Sequence, residues 1–322
     1  MNNKYYPMNS AEVLDQVLEV FKKSFFKQVA LSIIFSIIFF VILYALLIFG
    51  VLTVVVLLGN IFFTTGVGVD GVVIISAFLL IIFLAIALYD ALLTTGNALI
   101  TKHTFLGEYC DVGGVLKASF KKIWIATSAS IASLIVFLPG IFVLGVIIYL
   151  YVSMLMDFYD RGHTPTMALI IITILLGILM LAIFLVGATI TMMSNKVAIF
   201  EGRWFFGAVS RSFRLVKPDF LKIMGLLAIW SIITMAATYS FESLFSLAIV
   251  LLGYFSPQEA AAAFLMGTFG IGSFFSLIMG VILAPLSGIF STMIYMNQRI
   301  KLEGLDIELN LNNERIKQLR DK

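Results

Sequence analysis

Six apolar runs, at about 28–58, 71–101, 123–157, 165–195, 220–252 and 260–297, decide most of what this 322-residue chain can become. A bilayer core is roughly 30 Å thick, and a helix needs about 20 apolar residues to cross it. Each run exceeds that length. Inside hydrocarbon every backbone N–H and C=O must be bonded within its own helix or closed barrel. Barrel strands would read as segments of about ten residues with alternating polarity, and these are absent. The sequence therefore predicts an all-α integral membrane protein with six transmembrane helices. Only 12% of the residues are charged, about half the usual 25% of a soluble domain, so one water-soluble core is excluded. Residues 1–27 are not read as a signal peptide: they contain Glu12, Asp15 and Glu19, and the run after them is too long for a secretory h-region.

Charge sets the orientation. The gaps around 59–70 and 253–259 contain no Lys or Arg, and 158–164 contains only Arg161. The other polar regions, Lys4 to Lys27, Lys102 to Lys122, Lys196 to Lys222 and Arg299 to Lys322, hold 20 of the 21 cations. Lys and Arg resist translocation and collect in cytoplasmic loops. Six crossings with both termini in the cytoplasm put all twenty on that side, whereas five or seven would scatter them. A run of 33 residues reaches about 50 Å as a helix, so tilt, kinks or extensions beyond the bilayer are expected. Pro139-Gly140 and Pro285 are the expected breaks, with a kink preferred to a re-entrant turn at 139–140.

A pattern recurs ahead of each pair of runs. Val13, Val17, Phe21 and Lys22 align with Val112, Leu116, Phe120 and Lys121, and again with Phe205, Val209, Phe213 and Arg214. Each copy has helical period, with apolar positions eight and four before a phenylalanine and a cation just after it. Each unit closes on a glycine in a polar stretch: "FLGEY" at 105–109, "FEGRW" at 200–204 and "LEGLD" at 302–306. Fixed-period repetition is an architectural signature. The chain reads as a single membrane domain, 1–322, of three repeats at about 9–107, 108–202 and 203–304, with a polar cytoplasmic tail at 305–322. Each repeat is an interfacial amphipathic helix followed by a helical hairpin. Such a helix lies at the headgroups with its cations toward anionic lipid. Lys22, Lys23, Lys121, Lys122, Arg211 and Arg214 are the candidate membrane-surface or partner-docking residues. They serve either to anchor each hairpin or to dock lipid headgroups or a partner.

Three stretches, "MNSAEVLDQVLEVFKKSF" (8–25), "NKVAIFEGRWFFGAVSRSFRLVKPDFLKIMGLL" (195–227) and "IYMNQRIKLEGLDIEL" (294–309), carry a family resemblance. Together they resemble the membrane domain attached to some bacterial glycerophosphoryl diester phosphodiesterases, and the related stand-alone YciC-like membrane proteins. The similarity spans nearly the whole chain, through loose and mostly structural motifs. It implies a multi-pass protein of the bacterial cytoplasmic (inner) membrane. It carries over no catalytic residue, because the phosphodiesterases do their chemistry in a separate soluble barrel with metal-binding acids and histidines. About 25 residues follow the last run here, so that barrel and its hydrolysis are not expected.

The chain holds no P-loop, HExxH, GxSxG or CxxC motif, and its one cysteine, Cys110, excludes an intrachain disulfide and a cysteine-based metal cluster. No cofactor and no metal are expected, and no nucleic-acid partner. Two acids stand inside apolar runs, where a charge is expensive and a functional candidate by default. Asp90 shares a helix face with Thr94, Asn97 and Thr101; Glu242 continues a stripe of Ser231, Thr234 and Thr238. At 1.5 Å per residue Asp90 lies roughly 18 Å from Lys102 and Glu242 roughly 30 Å past Lys222, depths that argue against one catalytic dyad. Asp90, Thr94, Asn97 and Glu242 form the candidate intramembrane polar site. Gly272, Ser276, Gly280, Ala284 and Gly288 place small residues at every fourth position, the pattern of a close helix–helix seam.

Three readings follow. The first is a non-enzymatic membrane module that binds anionic lipid or partner proteins through cytoplasmic-surface helices. The second is a transporter or permease component working with a separate ATPase. The third is an intramembrane lipid-modifying enzyme. The topology is directly testable: single cysteines at 66 and 256 should label from outside, and at 118 and 312 only after permeabilisation. Labelling of 66 and 256 from opposite sides rejects six crossings.

Overall fold

Helix is the only regular structure among the described residues, as a chain in hydrocarbon requires. The computed structural model describes residues 5–63, 69–160, 167–254 and 272–311; of 52–63, 69–72, 75, 157–160, 168, 245–246, 248–254 and 272–277 it describes the backbone alone. The elements are α1 (Ser10–Phe63), α2 (Val69–Leu106), α3 (Val112–Asp160), α4 (Met167–Glu201), α5 (Phe205–Val216), a 3-10 turn (Lys217–Asp219), α6 (Phe220–Tyr254) and α7 (Gly272–Glu303). Residues 305–311 add a last short helix. Among the described residues six helices are long and apolar enough to cross a membrane. The protein is a multi-pass helical membrane protein.

The helix ends have local causes. Asp111 caps α3: its Oδ2 accepts the Gly114 N–H at 2.9 Å, satisfying a donor that the first turn leaves open. Three helices end on a glycine in the left-handed region, α2 at Gly107 (φ 73°), α4 at Gly202 (φ 68°) and α7 at Gly304 (φ 65°). A side chain is strained there and glycine is not. The amides close back on the helix, with Gly202 N–H to the Ala198 carbonyl at 3.1 Å and Gly304 N–H to the Ile300 carbonyl at 3.2 Å.

One expectation about the amphipathic segments is corrected. In α1, of 54 residues, and α3, of 49, the segment continues into the apolar run as one uninterrupted helix. At 1.5 Å per residue α1 reaches about 80 Å, far beyond a bilayer core. Only the third copy, α5, is a helix of its own. The difference is Pro218, which lacks a backbone donor and stands in the 3-10 turn after α5; copies one and two have no proline at that point. Within α3 and α7 proline does not end the helix. α3 runs through Pro139 and α7 through Pro285, so the chain makes no re-entrant turn at 139–140.

The chain separates into two compact units, each discontinuous in sequence: Met1–Ser10, Ser128–Ile232 and Ile294–Lys322 in one, Ala11–Thr127 and Ile233–Met293 in the other. Within the first, Ala132, Ile190 and Val209 form a buried cluster with Phe137, Val186 and Phe205 against it. Within the second, Leu31, Phe35, Leu92, Ile100, Cys110 and Val115 are buried together. Gly96 permits the approach. A Cβ there would stand 2.3 Å from Leu31 Cδ2, 3.1 Å from Phe35 Cε2 and 3.3 Å from Ser119 Oγ, so α1 and α3 both close on α2 at this level.

The seam expected along α7 is narrower than its spacing implies. A Cβ at Gly280 would meet nothing within 4 Å, whereas one at Gly288 would stand 2.7 Å from Asn97 Cβ. Ala284 is half-buried, and the surroundings of Gly272 and Ser276 lie outside the described residues. The close crossing is at Gly288, because there a polar side chain of α2 fills the space against bare backbone. Gly288→Ala should therefore destabilise the protein by about 1–3 kcal/mol, the usual effect of overpacking, and lower its Tm in detergent. Gly280→Ala should leave the Tm in place.

Candidate functional site

Charge in the first unit is drawn together by the polar ends of α4, α5 and α7. Glu201, whose side chain is 12% exposed, accepts from Arg203 Nε at 3.1 Å, from Arg211 Nε at 3.0 Å and from the Tyr295 hydroxyl at 3.1 Å. Arg211 also pairs with Glu303. The planar guanidinium offers several donors in one fork, which lets one arginine join two carboxylates. Tyr295 is fully buried, stacked on Phe200 with ring centroids 5.3 Å apart. Below it Asp219 accepts from Gln298 at 3.2 Å and Lys301 at 3.3 Å. Asn297 clamps the chain before α1, accepting the Met8 N–H at 2.8 Å and donating to the Met8 carbonyl at 3.0 Å.

The docking candidates differ in their surroundings. Arg211 is held between Glu201 and Glu303, so its charge is neutralised within the fold and its role is to join elements. Arg214, one turn along α5, is exposed. In the second unit Lys22, Lys23 and Lys121 are exposed and Lys122 is half-buried. Lys23 Nζ reaches Glu19 at 2.6 Å, a solvated pair of the kind that contributes little. Lys27 Nζ sits 5.5 Å from the centre of the Tyr109 ring. Large aromatic surfaces stand open beside these cations: Phe26 is 85% exposed and Trp124 61%, and on the third copy Trp204, Phe206 and Phe213 are exposed beside Arg203 and Arg214. Cys110, between α2 and α3, is buried, and burial pushes its thiol above the usual cysteine range, with Lys27 acting the other way.

The intramembrane acids do not share the interior with their neighbours. Asp90 is exposed, Thr94 and Glu242 are half-buried, and Asn97 and Thr101 are fully buried. Among the described residues no group of three His, Cys, Asp or Glu could hold a metal ion. Between α1 and α2 the buried polar surface is built of neutral groups: Asn97 of the candidate site and Thr101 of the same helix face, together with Ser24, Gln28, Ser32 and Ser36 on α1 and Thr95 on α2, which acid-centred reading missed. Gln28 Nε2 donates to Ser24 Oγ at 2.8 Å and to Thr101 Oγ1 at 3.4 Å. Eight residues on, Ser36 Oγ and the Tyr89 hydroxyl meet at 3.0 Å. The two contacts, running opposite ways in sequence, set α1 antiparallel to α2 with this serine–glutamine face between them. Its signal was legible as a polar residue at every fourth position from 24 to 36.

Comparison with family models, with curated proteins and with solved structures finds no match. The site is thus defined by geometry. If Glu201 is the shared acceptor of the network, Glu201→Gln should destabilise by about 1.5–3 kcal/mol, the worth of a hydrogen bond to a charged group. The amide removes the charge that Arg211 and Arg203 face. A Tm within a degree of the parent would show that Glu303 alone holds Arg211.

Proposed function

We propose that this multi-pass protein is a non-enzymatic module of the bacterial cytoplasmic membrane that holds anionic lipid headgroups at its cytoplasmic surface. The observation that carries the reading is the pairing of exposed cations with exposed aromatic rings in all three copies of the amphipathic segment: Lys22 and Lys23 with Phe26, Lys121 with Phe120 and Trp124, Arg214 with Phe206 and Phe213. Aromatic rings favour the membrane–water boundary, and cations there gain roughly 1 kcal/mol each from an anionic leaflet. The three left-handed glycine turns that close α2, α4 and α7 support the threefold organisation, with both termini cytoplasmic by the cation partition. The resemblance to the membrane domain of glycerophosphoryl diester phosphodiesterases and YciC-like proteins is in keeping with a membrane role separate from catalysis. A permease component acting with a separate ATPase is the second reading, favoured by the buried neutral face of α1 and α2.

The surface reading has a measurable consequence in the whole protein. Lys22→Glu, Lys121→Glu and Arg214→Glu combined should reduce the anionic lipid retained on purification, at about fivefold per cation if each contributes roughly 1 kcal/mol. The parent's retention should also fall with salt, since these charges are screened. Equal retention by parent and triple variant, measured by lipid mass spectrometry, overturns the lipid-surface assignment. Arg211→Lys serves as the contrast: it should lower the Tm with retained lipid unchanged.

A further inference from the structure

The segment between α4 and α6 holds the one non-glycine residue at positive φ among the described residues, Phe205 at 46°. A bulky side chain rarely adopts that conformation, and strain of this kind persists only where the surroundings enforce it. Here it accompanies one aromatic ring turned inward and two turned outward. The Phe205 ring packs against the cluster of Ala132, Ile190 and Val209, and its N–H donates to Ser128 Oγ at 3.4 Å. Trp204 before it and Phe206 after it are 56% and 51% exposed.

Within its unit α5 lies across α3 and α4 rather than along them. Ser130 Oγ on α3 donates to Asn195 Oδ1 on α4 at 3.0 Å, so these two residues share a level. The start of α5 meets Ser128, two residues from Ser130. Seven residues further along α5, Ser212 Oγ and Ser194 Oγ meet at 2.9 Å. Seven residues are about 10 Å of helix, yet both ends of that stretch stand at nearly one height on α3 and α4. One face of α5, with Ala208, Val209, Ser212, Leu215 and Val216, is buried. The opposite face exposes Phe206, Ser210, Phe213, Arg214 and Lys217.

The surroundings say what meets that outer face. α5 joins two helices, α4 and α6, that are both long and apolar enough to cross a membrane. Exposed apolar surface resumes close by, at Leu134 on α3, six residues or about 9 Å beyond Ser128, and at Leu221 on α6, five residues after α5 ends. We propose that α5 is inserted in the cytoplasmic leaflet of the protein's own membrane, with Trp204, Phe206 and Phe213 at the boundary between headgroups and acyl chains and Arg214 and Lys217 toward the phosphates. Aromatic rings favour that boundary, and a helix lying flat in it buries one apolar face in lipid. Copies one and two are the first turns of α1 and α3, so neither can turn flat as α5 does. The inference goes beyond headgroup binding, because burying rings requires no anionic lipid.

The test is the fluorescence of the full chain reconstituted in neutral phosphatidylcholine vesicles. Trp204 is one of three tryptophans, and its share of the signal is what Trp204→Phe removes. That variant exchanges one exposed aromatic for another, so it should fold as the parent does. Phosphatidylcholine brominated high on its acyl chains should quench the Trp204 share about twofold more than phosphatidylcholine brominated near the chain ends, as an interfacial ring requires. Iodide in the water should quench it least. A share quenched chiefly by iodide places Trp204 in water and overturns the insertion. A share that neither bromine nor iodide reaches places it under a protein partner and overturns it as well, and so does stronger quenching by the deep bromines. Headgroup binding and insertion fail separately. If the triple charge variant keeps its anionic lipid while shallow bromines quench Trp204, the insertion stands without headgroup binding; the converse pair of results removes the insertion alone.

Discussion

A peptide group in hydrocarbon has no water to fall back on, and the whole architecture depends on that. Backbone N–H and C=O groups in a span are bonded along their own helix, so helices are long, and among the described residues four of their ends have a residue that enforces them. Glycine does so three times by entering the left-handed region, at Gly107, Gly202 and Gly304, and Pro218 does so once by having no donor to give. Prolines deep in a span behave differently. At Pro139 and Pro285 the helix continues on both sides, since breaking it would expose several further peptide groups. The same demand explains the serines and threonines that bond the carbonyl four residues back: a hydroxyl in an apolar span uses the nearest acceptor, which is its own helix.

Charged groups obey the opposite logic and collect where helices end. Glu201 gathers donors from α5, α7 and the turn before α5, and Asp219 gathers two from α7. Such clustering spreads a fixed negative charge over arginine, lysine, tyrosine and glutamine, and each added donor reduces the penalty of partial burial. The result ties α4, α5 and α7 at one polar end of their unit. Lys196, fully buried on α4, lies one helical turn and a residue before Glu201, so even the most enclosed cation belongs to this end of the helix.

Much of the fold was legible because it depends on length and on charge, both of which can be counted. The six apolar helices follow from run length, and the glycine turns from three polar stretches with a glycine at the same point. What eluded the sequence depends on partners remote along the chain. Arg211 looked like Arg214, two cations on one short helix, and its pairing with Glu201 and with Glu303, 92 residues away, separates a joining residue from an exposed one. Gly280 and Gly288 are likewise indistinguishable by spacing; Asn97 against one and open space beside the other distinguish them. Copies one and two of the amphipathic segment could not be told from copy three by periodicity, since what differs is a single proline beyond the repeat.

The α1 side of the buried face between α1 and α2 went unnoticed for a more instructive reason. A charge in a membrane span draws the eye because it is expensive, so Asp90 and Glu242 stood out. Neither belongs to the enclosed polar surface: Asp90 is exposed and Glu242 half-enclosed. An amide or hydroxyl has a far smaller desolvation penalty and can be enclosed completely, as Gln28, Ser32, Thr95 and Asn97 are. Between α1 and α2 the groups that reach the centre of the packing are the weakly polar ones. The informative pattern is then a neutral polar residue every four positions on one helix facing a glycine-flanking amide on the next. Ser24, Gln28, Ser32 and Ser36 opposite Asn97 make that pattern here, and it is visible only when the spacing on both helices is considered together.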